Sequence, residues 1–426
     1  MASPDDDDPF IAERCARQSL GEDLVNRRNL LLLAVLALGI AACGSDGESS
    51  STQAPETTAT SGSTGSTPAA GAEITVGLLA PQTGFAANYG PEAQQGIDLA
   101  LAELGVDPSV KVKIVTADED VLDASQTLER VKKLVESDGA QIVLGPVFGS
   151  TQQAVAPYLT DKGIPWFSFL GASQDLATKG SAFIWPGADA LTAAPLGEYA
   201  ASDLGYTKIA TLAPDYAYGH DVITGAADAF TAGGGEVVQQ QWVPLGTTDM
   251  LQYATSMDSS VDALLMWLVP TDAAAFVREY RNLGIKVPLL MFQGVFDPTF
   301  QEVGAQLIGE VGLNEYNPNL DNPANKAFVG AYTAKYGGIP NQTTAFAYTV
   351  VKVIVEAVTK SGGDTSVEAL RTALNGLSLD TVIGPASYNA DGIASSNRTI
   401  VKAAKADDGT YIWEPVKTYE GVGAPK

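Results

Sequence analysis

The chain has 426 residues, 45% of them hydrophobic, which is enough for two or three domains with sizeable cores. Asp and Glu number 50 against 25 Lys and Arg, giving a formal net charge of -25 at pH 7. This acidic balance opposes binding to nucleic-acid phosphates or to an anionic membrane surface, so neither is expected as a partner.

The first 43 residues are expected to form a leader. Arg27 and Arg28 precede an apolar run at 30–38, and small residues then lead to Cys43. A basic pair, a short apolar stretch and small residues before a cysteine are typical of a lipoprotein signal peptide. Cys43 would then carry a membrane-anchoring lipid and become the mature N-terminus. The alternatives are an ordinary short membrane anchor or a buried helix with a chance cysteine.

Residues 1–24 are acidic where a signal peptide should be basic, which suggests that translation begins near Val25. Residues 44–72 are rich in Ser, Thr, Gly, Ala and Pro, which predicts a disordered tether. Residues 1–43 hold seven acids and four bases, so their removal leaves a net charge of about -22. Cys15 would be lost with the leader, so no disulfide is expected in the mature protein.

Short apolar runs alternate with helical patterns from Glu73 onward, in two series of similar size. This alternation predicts parallel sheets with helices on both faces. The first series predicts strands at 74–79, 110–115, 141–144 and 164–168, with helices at 91–104, 122–137 and 150–162. The second predicts strands at 208–212, 236–240, 263–267 and 288–292, with helices at 190–204, 219–232 and 271–283.

The C-terminal part predicts three further helices and three short strands. The helices fall at 322–336, 344–360 and 366–375, and the strands near 385–388, 399–404 and 410–413. These elements are too few to build a third core, so they are expected to complete the first two.

The residue types that enzymes and metal sites require are scarce. His220 is the single histidine, and Cys43 would be the single cysteine of the mature chain, which excludes His/Cys metal cages and Cys/His nucleophilic pairs. The nucleophile-elbow, P-loop and dinucleotide-binding patterns are absent from the sequence. His220 is most simply the N-terminal residue of a helix. Neither enzymatic activity nor a metal nor another cofactor is expected, although a carboxylate acid/base pair remains open.

Two strands of the first series end in turns of small and hydroxyl residues that lead directly into helices, at 145–151 and 168–173. Such turns lie at the carboxyl edge of an open α/β sheet, where ligands bind. Backbone N–H groups at a helix N-terminus, helped by a hydroxyl, can hold a carboxylate. The alternative is that Ser150 and Ser173 only cap their helices.

Two tyrosines occupy comparable turns, one in each series. Tyr89 precedes Gly90, and Tyr218 precedes Gly219. A tyrosine in this position can project from the end of an element and wall the apolar part of a ligand. Their occurrence once per series suggests a site between two lobes.

Taken in order, these motifs resemble those of the branched-chain amino acid (Leu/Ile/Val) binding proteins, the type I periplasmic binding proteins of ABC transporters. The resemblance runs from about Glu73 to the C-terminal region. Its motifs are Val76 to Pro81, Thr83-Gly84, Tyr89-Gly90, Gly145-Pro146, Ala154 to Pro157, Tyr218-Gly219, Asp321 to Asn325 and Thr381 to Pro385.

The resemblance implies an α/β fold of two Rossmann-like lobes with parallel sheets, joined by three hinge crossovers. Lobe I would comprise 73–187 and 318–381, and lobe II would comprise 188–317 and 382–420. The lobes would close over a ligand by hinge motion and dock on the permease subunits of an ABC importer. The chain would act as a monomer outside the cytoplasm.

The resemblance also assigns candidate ligand-binding residues, some of which depart from the family pattern. Tyr89 and Tyr218 fall on ligand-wall positions, and Leu170, followed by Gly171, offers backbone to the ligand. The hydroxyls that grip an α-carboxylate fall at Gly149 and Ala172, with Ser150 and Ser173 adjacent. The acid that pairs with an α-ammonium falls at Gln293. The second-lobe tyrosine falls near Val269 or Pro270, with Trp267 close by.

The expected function is therefore an extracytoplasmic solute-binding lipoprotein that captures a small polar ligand, such as an amino acid or an amide, for an ABC importer. Because Gln293 is neutral, either the ligand lacks an α-ammonium or another acid, such as Asp215 or Asp297, supplies the charge. The alternatives are a receptor for urea-like or aromatic compounds and a sensory receptor coupled to a signalling partner.

Overall fold

The computed structural model describes residues 72–105, 110–294 and 299–425. The predicted leader, the lipidated Cys43, the tether up to residue 71 and Asp297 lie outside these ranges. Within them, no helix combines the length and apolar character needed to cross a membrane.

The first sheet of the described chain has five parallel strands, in the order β2-β1-β3-β4-β5. The strands are β1 (Ala72–Ala80), β2 (Val110–Asp118), β3 (Ile142–Leu144), β4 (Trp166–Phe167) and β5 (Ala182–Phe183). The helices between them are α1 (Tyr89–Leu104), α2 (Ala124–Glu136), α3 (Gly149–Asp161) and α4 (Asp175–Thr178), and a 3-10 turn covers Gly84–Ala86. The predicted elements of the first series are confirmed, whereas β5 and α4 are not among the predictions.

The second sheet is parallel in its centre and antiparallel at one side. Its parallel strands are β6 (Lys208–Pro214), β7 (Glu236–Val243), β8 (Ala263–Met266), β9 (Leu289–Phe292) and β10 (Val311–Asn314). Strand β13 (Ala394–Lys405) pairs antiparallel with β10 and with β14 (Tyr411–Val422). The hairpin of β11 (Ser378–Thr381) and β12 (Gly384–Tyr388) extends the same sheet.

The expectation of parallel sheets is confirmed, and the second sheet adds an antiparallel side that was not among the predictions. The C-terminal strands follow one another through short turns, and a short turn joins only antiparallel neighbours. The helices of this half are α5 (Asp189–Ser202), α6 (Ala217–Ala232), α7 (Leu251–Thr255), α8 (Pro270–Asn282) and α9 (Thr299–Leu307).

Three C-terminal helices complete the fold: α10 (Pro323–Tyr336), α11 (Gln342–Lys360) and α12 (Val367–Leu374). Helix α11 is buried along most of its length and packs against α1. At Gly96 on α1, an added Cβ would contact the carbonyl of Thr344, so a larger residue would push the two helices apart. The prediction that the late elements complete the first two cores is confirmed.

Over residues 72–105, 110–294 and 299–425, the chain passes between the two sheets three times. It leaves the first sheet after β5 and leaves the second after β10, and β13 makes the third passage. Ala394, at the start of β13, packs in the core of the first sheet, whereas Ile400 and Val401 pack in cores of the second. These passages hold the strand ends of the two sheets beside one another.

Candidate ligand-binding site

A cavity of about 250 Å³ lies where the carboxyl ends of strands from both sheets meet. Its walls come from segments that follow β1, β3 and β4 on one side and β6, β8 and β9 on the other. This is the position at which open α/β sheets bind ligands, because the loops that follow parallel strands gather at one edge.

Aromatic rings from both halves line this cavity and contact one another. The Phe148 ring lies 5.7 Å from that of Tyr89 in the first half and 6.1 Å from that of Tyr216 in the second. Tyr216 and Tyr218 in turn contact Trp267, with ring centroids 6.0 and 4.8 Å apart. Tilted and edge-on rings of this kind suit a flat or branched apolar group.

Gln293 is the polar centre of the second half of the cavity. Its side-chain amide donates to the Tyr218 hydroxyl at 2.7 Å and accepts from the Trp267 indole at 3.3 Å. The same amide donates to the carboxylate of Glu315. Gln293 has φ 47°, which lies in the left-handed region that residues other than glycine rarely adopt. The turn after β9 therefore holds Gln293 in a strained backbone conformation.

Glu315 is a buried carboxylate with several partners. It accepts from Gln342 Nε2 at 3.0 Å and lies 3.4 Å from Arg398 Nε. Glu315 and Arg398 are 3% and 0% exposed, so the pair is removed from solvent. Removing one partner of such a buried ion pair strongly destabilises a protein, because the remaining charge is buried and uncompensated.

Two further buried acids lie close to the cavity. Glu119 follows β2 and accepts from the backbone N–H groups of Val147 and Phe148, at 2.7 and 2.9 Å, and from the Thr151 hydroxyl. Burial raises the pKa of Glu119 to about 7, although these hydrogen bonds oppose the shift. Burial, with the nearby acids Asp221 and Glu315, raises the pKa of Asp189 well above its ordinary value.

The N-terminus of α11 opens onto the same cavity. Gln342 and Thr343 line it, and Asn341 caps the helix by accepting from the N–H of Thr344 at 3.0 Å. The first N–H groups of an α-helix have no acceptor within the helix. They provide a place for a carboxylate or another acceptor without a buried cation. Among the described residues lining the cavity, the one charged side chain is Glu92.

The two halves touch across the mouth of the cleft. A Cβ added at Gly149 would lie 3.1 Å from the backbone nitrogen of Tyr218, so glycine allows this close approach. The Ser173 hydroxyl donates to the carboxylate of Asp221, which lies on α6 of the second half. The cleft is therefore closed in this structure.

Five of the nine predicted ligand-binding residues line the cavity: Tyr89, Leu170, Tyr218, Trp267 and Gln293. Gly149, Ser150, Gly171 and Ser173 lie near it and are not part of its lining. Gly171 donates its N–H to the Trp185 carbonyl at 2.7 Å, and its own carbonyl accepts from Gln152 at 3.1 Å. The role of all nine in binding stays a prediction.

The structure also bears on the alternatives for the serines, the histidine and the aspartate. Ser150 does not cap α3, whose N-cap residue is Phe148. His220 lies in the first turn of α6, as predicted, and its Nε2 is 2.8 Å from the Asp215 carboxylate. Asp215 has its side chain 56% exposed, so it is not a buried partner for an ammonium group.

Several residues around the site were missed by the sequence analysis. Phe148 lies within the predicted turn at 145–151, and Tyr216 lies two residues before Tyr218, but neither was singled out. Glu315 follows β10 and Gln342 begins α11, and both were missed because the strand was not predicted and the helix was predicted to start two residues late. The Asn341 cap immediately before Gln342 is the signal that would have corrected the helix start.

Comparisons with known proteins agree on the class of this fold. A family model described as a periplasmic binding protein matches residues 73–410. A Leu/Ile/Val-binding protein homolog 6 of Brucella suis is 27% identical over 369 residues, covering 83% of this chain and 93% of that protein. The Leu/Ile/Val-binding protein BraC3 of Rhizobium johnstonii is 28% identical over 342 residues, covering 77% and 91%.

Solved structures of solute-binding proteins superimpose over most of the described chain. A solute-binding protein of an ABC transporter from R. palustris, in complex with 4-hydroxybenzoate, has a TM-score of 0.76 at 25% identity, covering 82% of this chain and 97% of that one. The substrate-binding protein LivJ from Streptococcus pneumoniae, in complex with isoleucine, has a TM-score of 0.67 at 22% identity, covering 81% and 99%. The type I periplasmic binding protein fold is thus confirmed, and the chain belongs to the periplasmic binding protein family.

Proposed function

We propose that this protein is an extracytoplasmic lipoprotein, anchored through Cys43, that captures a small molecule and delivers it to the permease of an ABC importer. It would act as a monomeric receptor and not as an enzyme. The observation that carries the proposal is the closed cavity of about 250 Å³ with aromatic walls from both halves of the fold.

The ligand is proposed to combine an apolar, flat or branched body with a carboxylate or amide group. The cavity is smaller than the roughly 300–1,000 Å³ that drug-sized ligands occupy, so its ligand is of amino-acid or hydroxybenzoate size. The rings of Tyr89, Phe148, Tyr218 and Trp267 would hold the body. The N–H groups at the N-terminus of α11 would bind a carboxylate or amide oxygen. Both amide hydrogens of Gln293 already donate to Tyr218 and Glu315, so its Oε1 would accept a hydrogen bond from an N–H of the ligand.

An amino acid is a second candidate ligand because of Asp189, whose carboxylate lies against Gly171, just outside the cavity lining. This carboxylate is 2% exposed, and burial raises its pKa. A ligand ammonium nearby would favour the ionised carboxylate and lower that pKa. Gln293 is neutral and Asp215 is exposed, so Asp189 is the acid that would pair with a ligand ammonium.

The division into lobes I and II is also proposed, with a different position for the last change from lobe I to lobe II. Val382, Ile383, Ala386 and Tyr388 pack in the core of the first sheet, as does Ala394. We therefore propose that the third boundary between lobes I and II lies nearer 394 than 381.

Import is tested by deleting the gene in the source cells and measuring uptake of the ligand that co-purifies with the protein. Loss of uptake, restored by the intact gene and not by a Tyr218→Ala variant, is expected. Normal uptake together with a lost transcriptional response to the same ligand would replace the import function with the sensory one.

A further inference from the structure

Glu119 is a buried carboxylate that supports one wall of the candidate site. It directly follows β2 and is 1% exposed. Its oxygens accept from the backbone N–H groups of Val147 and Phe148, and both of these residues line the cavity. Glu119 itself is not part of the lining, so it acts on a ligand through these two residues or through its charge.

The same contacts place a carboxylate of the protein at the start of α3. Phe148 is the N-cap residue of this helix, and Thr151, in the first turn, donates its hydroxyl to Glu119. A helix N-terminus favours a negative charge, because the helix dipole is positive at that end. The two backbone N–H groups that Glu119 binds are closed to a ligand. Gly149 and Ser150, where the resemblance implied the grip on a ligand carboxylate, are not part of the lining.

The Thr151 hydroxyl allows this carboxyl group to exist in two charge states. Its Oγ1 contacts Glu119 and also lies 2.7 Å from the Phe148 carbonyl, but a hydroxyl carries a single proton. When Glu119 is ionised, Thr151 donates to it, and the Phe148 carbonyl still accepts from the N–H of Gln152 at 2.9 Å. When Glu119 is protonated, its O–H donates to Thr151, and Thr151 donates to Phe148. The carboxyl group can therefore change charge while these groups keep their partners.

The charged and titratable groups around Glu119 are Asp118 on β2, Tyr89 on α1 and Tyr216 before α6. Asp118 lies 3.4 Å from Arg130, so the cation of α2 pairs with that aspartate. Burial, with the charge of Asp118, raises the pKa of Glu119. Burial and nearby groups, Glu119 among them, raise the pKa of Tyr89 and of Tyr216. Both tyrosines line the cavity, so the charge of Glu119 also acts on a ligand there.

We propose that Glu119 is a positioning residue of the candidate site, which holds the wall formed by Val147 and Phe148 and whose ionisation sets the affinity for anionic ligands. The second part rests on the proposed function, whereas the first does not. An ionised Glu119 repels a ligand carboxylate in the cavity, and a protonated Glu119 does not. Binding of a carboxylate ligand is then coupled to uptake of a proton from solvent. Its affinity therefore falls as the pH rises through the pKa of Glu119.

The positioning role is tested without a ligand, by NMR of protein that carries isotope-labelled valine and phenylalanine. The backbone N–H resonances of Val147 and Phe148 are expected to titrate together near pH 7, because both groups donate to Glu119. This titration should disappear in Glu119→Gln and persist in Glu129→Gln, at an exposed position of α2. Resonances that do not titrate, or that titrate unchanged in Glu119→Gln, would overturn the proposal.

A second variant tests the hydrogen bond from Thr151. That bond lowers the pKa of Glu119, so Thr151→Val should move the midpoint of the N–H titration to higher pH. Thr160→Val, an exposed position of the same helix, should leave the midpoint unchanged. Equal midpoints in the two variants would contradict the role of Thr151 and the two charge states derived from it.

The effect on ligands is tested with benzoate, which is anionic, and benzamide, which has a similar shape and no charge. Calorimetry should show benzoate affinity falling by about fivefold between pH 6 and 8, with proton uptake on binding. Benzamide affinity should stay constant. Glu119→Gln should reduce the fall for benzoate, and Asp189, whose pKa is also raised, accounts for the fall that remains.

The outcomes separate this inference from the proposed function. Equal pH dependence of benzoate binding in wild type and Glu119→Gln would overturn the coupling to affinity. Binding of neither probe at any pH would overturn the proposed ligand class and the second part of the inference with it. The N–H titration decides the first part in either case.

Discussion

The amide of Gln293 donates to the carboxylate of Glu315, which also lies against the buried guanidinium of Arg398. The position at which the resemblance implied an acid is therefore occupied by an amide that contacts an existing ion pair. The amide is already engaged with Glu315, Tyr218 and Trp267, which explains in physical terms why a neutral residue fits this position.

Gln293→Glu is expected to destabilise the protein and to weaken binding of its ligand. A second carboxylate beside Glu315 would add like-charge repulsion and remove a donor, at a cost of about 1–3 kcal/mol. Thermal unfolding and calorimetry would measure both effects, with Gln174→Glu at an exposed position as control. An unchanged melting temperature would contradict the account of the Gln293–Glu315 contact.

Gly149→Ala is expected to lower ligand affinity while leaving the fold intact. The added methyl would press on Tyr218 and Ala217 across the closed cleft, at 3.1 and 3.2 Å. Overpacking costs about 1–3 kcal/mol, so affinity should fall by about fivefold to a hundredfold. Gly330 on α10 has no atom within 4 Å of an added Cβ among the described residues, so Gly330→Ala is the matched control. Equal affinity in the two variants would show that closure does not depend on this contact.

The free energy of unfolding is expected to depend on the ionisation of Glu119. Burial raises its pKa from 4.5 to about 7, so the native state holds the proton more tightly than the unfolded chain does. The stability from this group is therefore complete below pH 4.5 and is lost as the pH rises through 7, by up to roughly 3 kcal/mol.

Denaturant titrations between pH 4.5 and 8 would measure this slope. Glu119→Gln should reduce it, whereas Glu129→Gln on α2 should not. Asp189 contributes a slope of the same sign, because its pKa is also raised, so part of the dependence should remain in Glu119→Gln. A wild-type protein that gains stability over this range would contradict the assignment.

Lipid attachment at Cys43 is expected from the leader. Cys43→Ser should release the protein from the membrane fraction, and globomycin should cause the precursor to accumulate. Fractionation with immunoblotting measures both. A membrane-associated Cys43→Ser variant, with no precursor accumulation under globomycin, would show that the protein is held by another means.

Local patterns predicted the first sheet and most helices, because each element there carries its own periodicity. Val311–Asn314 escaped prediction because a four-residue strand interrupted by Gly312 has too few residues for an apolar pattern. Because this strand was not predicted, Glu315, which directly follows it, was not identified as a candidate site residue. The antiparallel side depends on the pairing of β10 with β13, which are far apart in the sequence. The local sequence pattern of either strand alone does not indicate that pairing.

Candidate site residues were predictable where a turn follows a strand of the expected series. Tyr89 and Tyr218 satisfy that condition and line the cavity, as does Gln293, which was assigned only through the family resemblance. Ser173 lies in a turn of the same kind but is not part of the lining, and its hydroxyl donates to the carboxylate of Asp221 from the opposite half. Contacts across the cleft depend on how the halves close, and the sequence of one half does not encode the other.

The central claim is that a small ligand binds between the aromatic walls. The most direct measurement is native mass spectrometry of the purified protein to identify a co-purified molecule, followed by calorimetry of that molecule on wild type, Tyr89→Ala and Tyr218→Ala. One ligand per chain is expected, with affinity reduced by about 1–3 kcal/mol in each variant. Tyr158→Ala, on α3 and outside the cavity lining, should bind as wild type does. Unchanged affinity in both Tyr89→Ala and Tyr218→Ala would contradict the account.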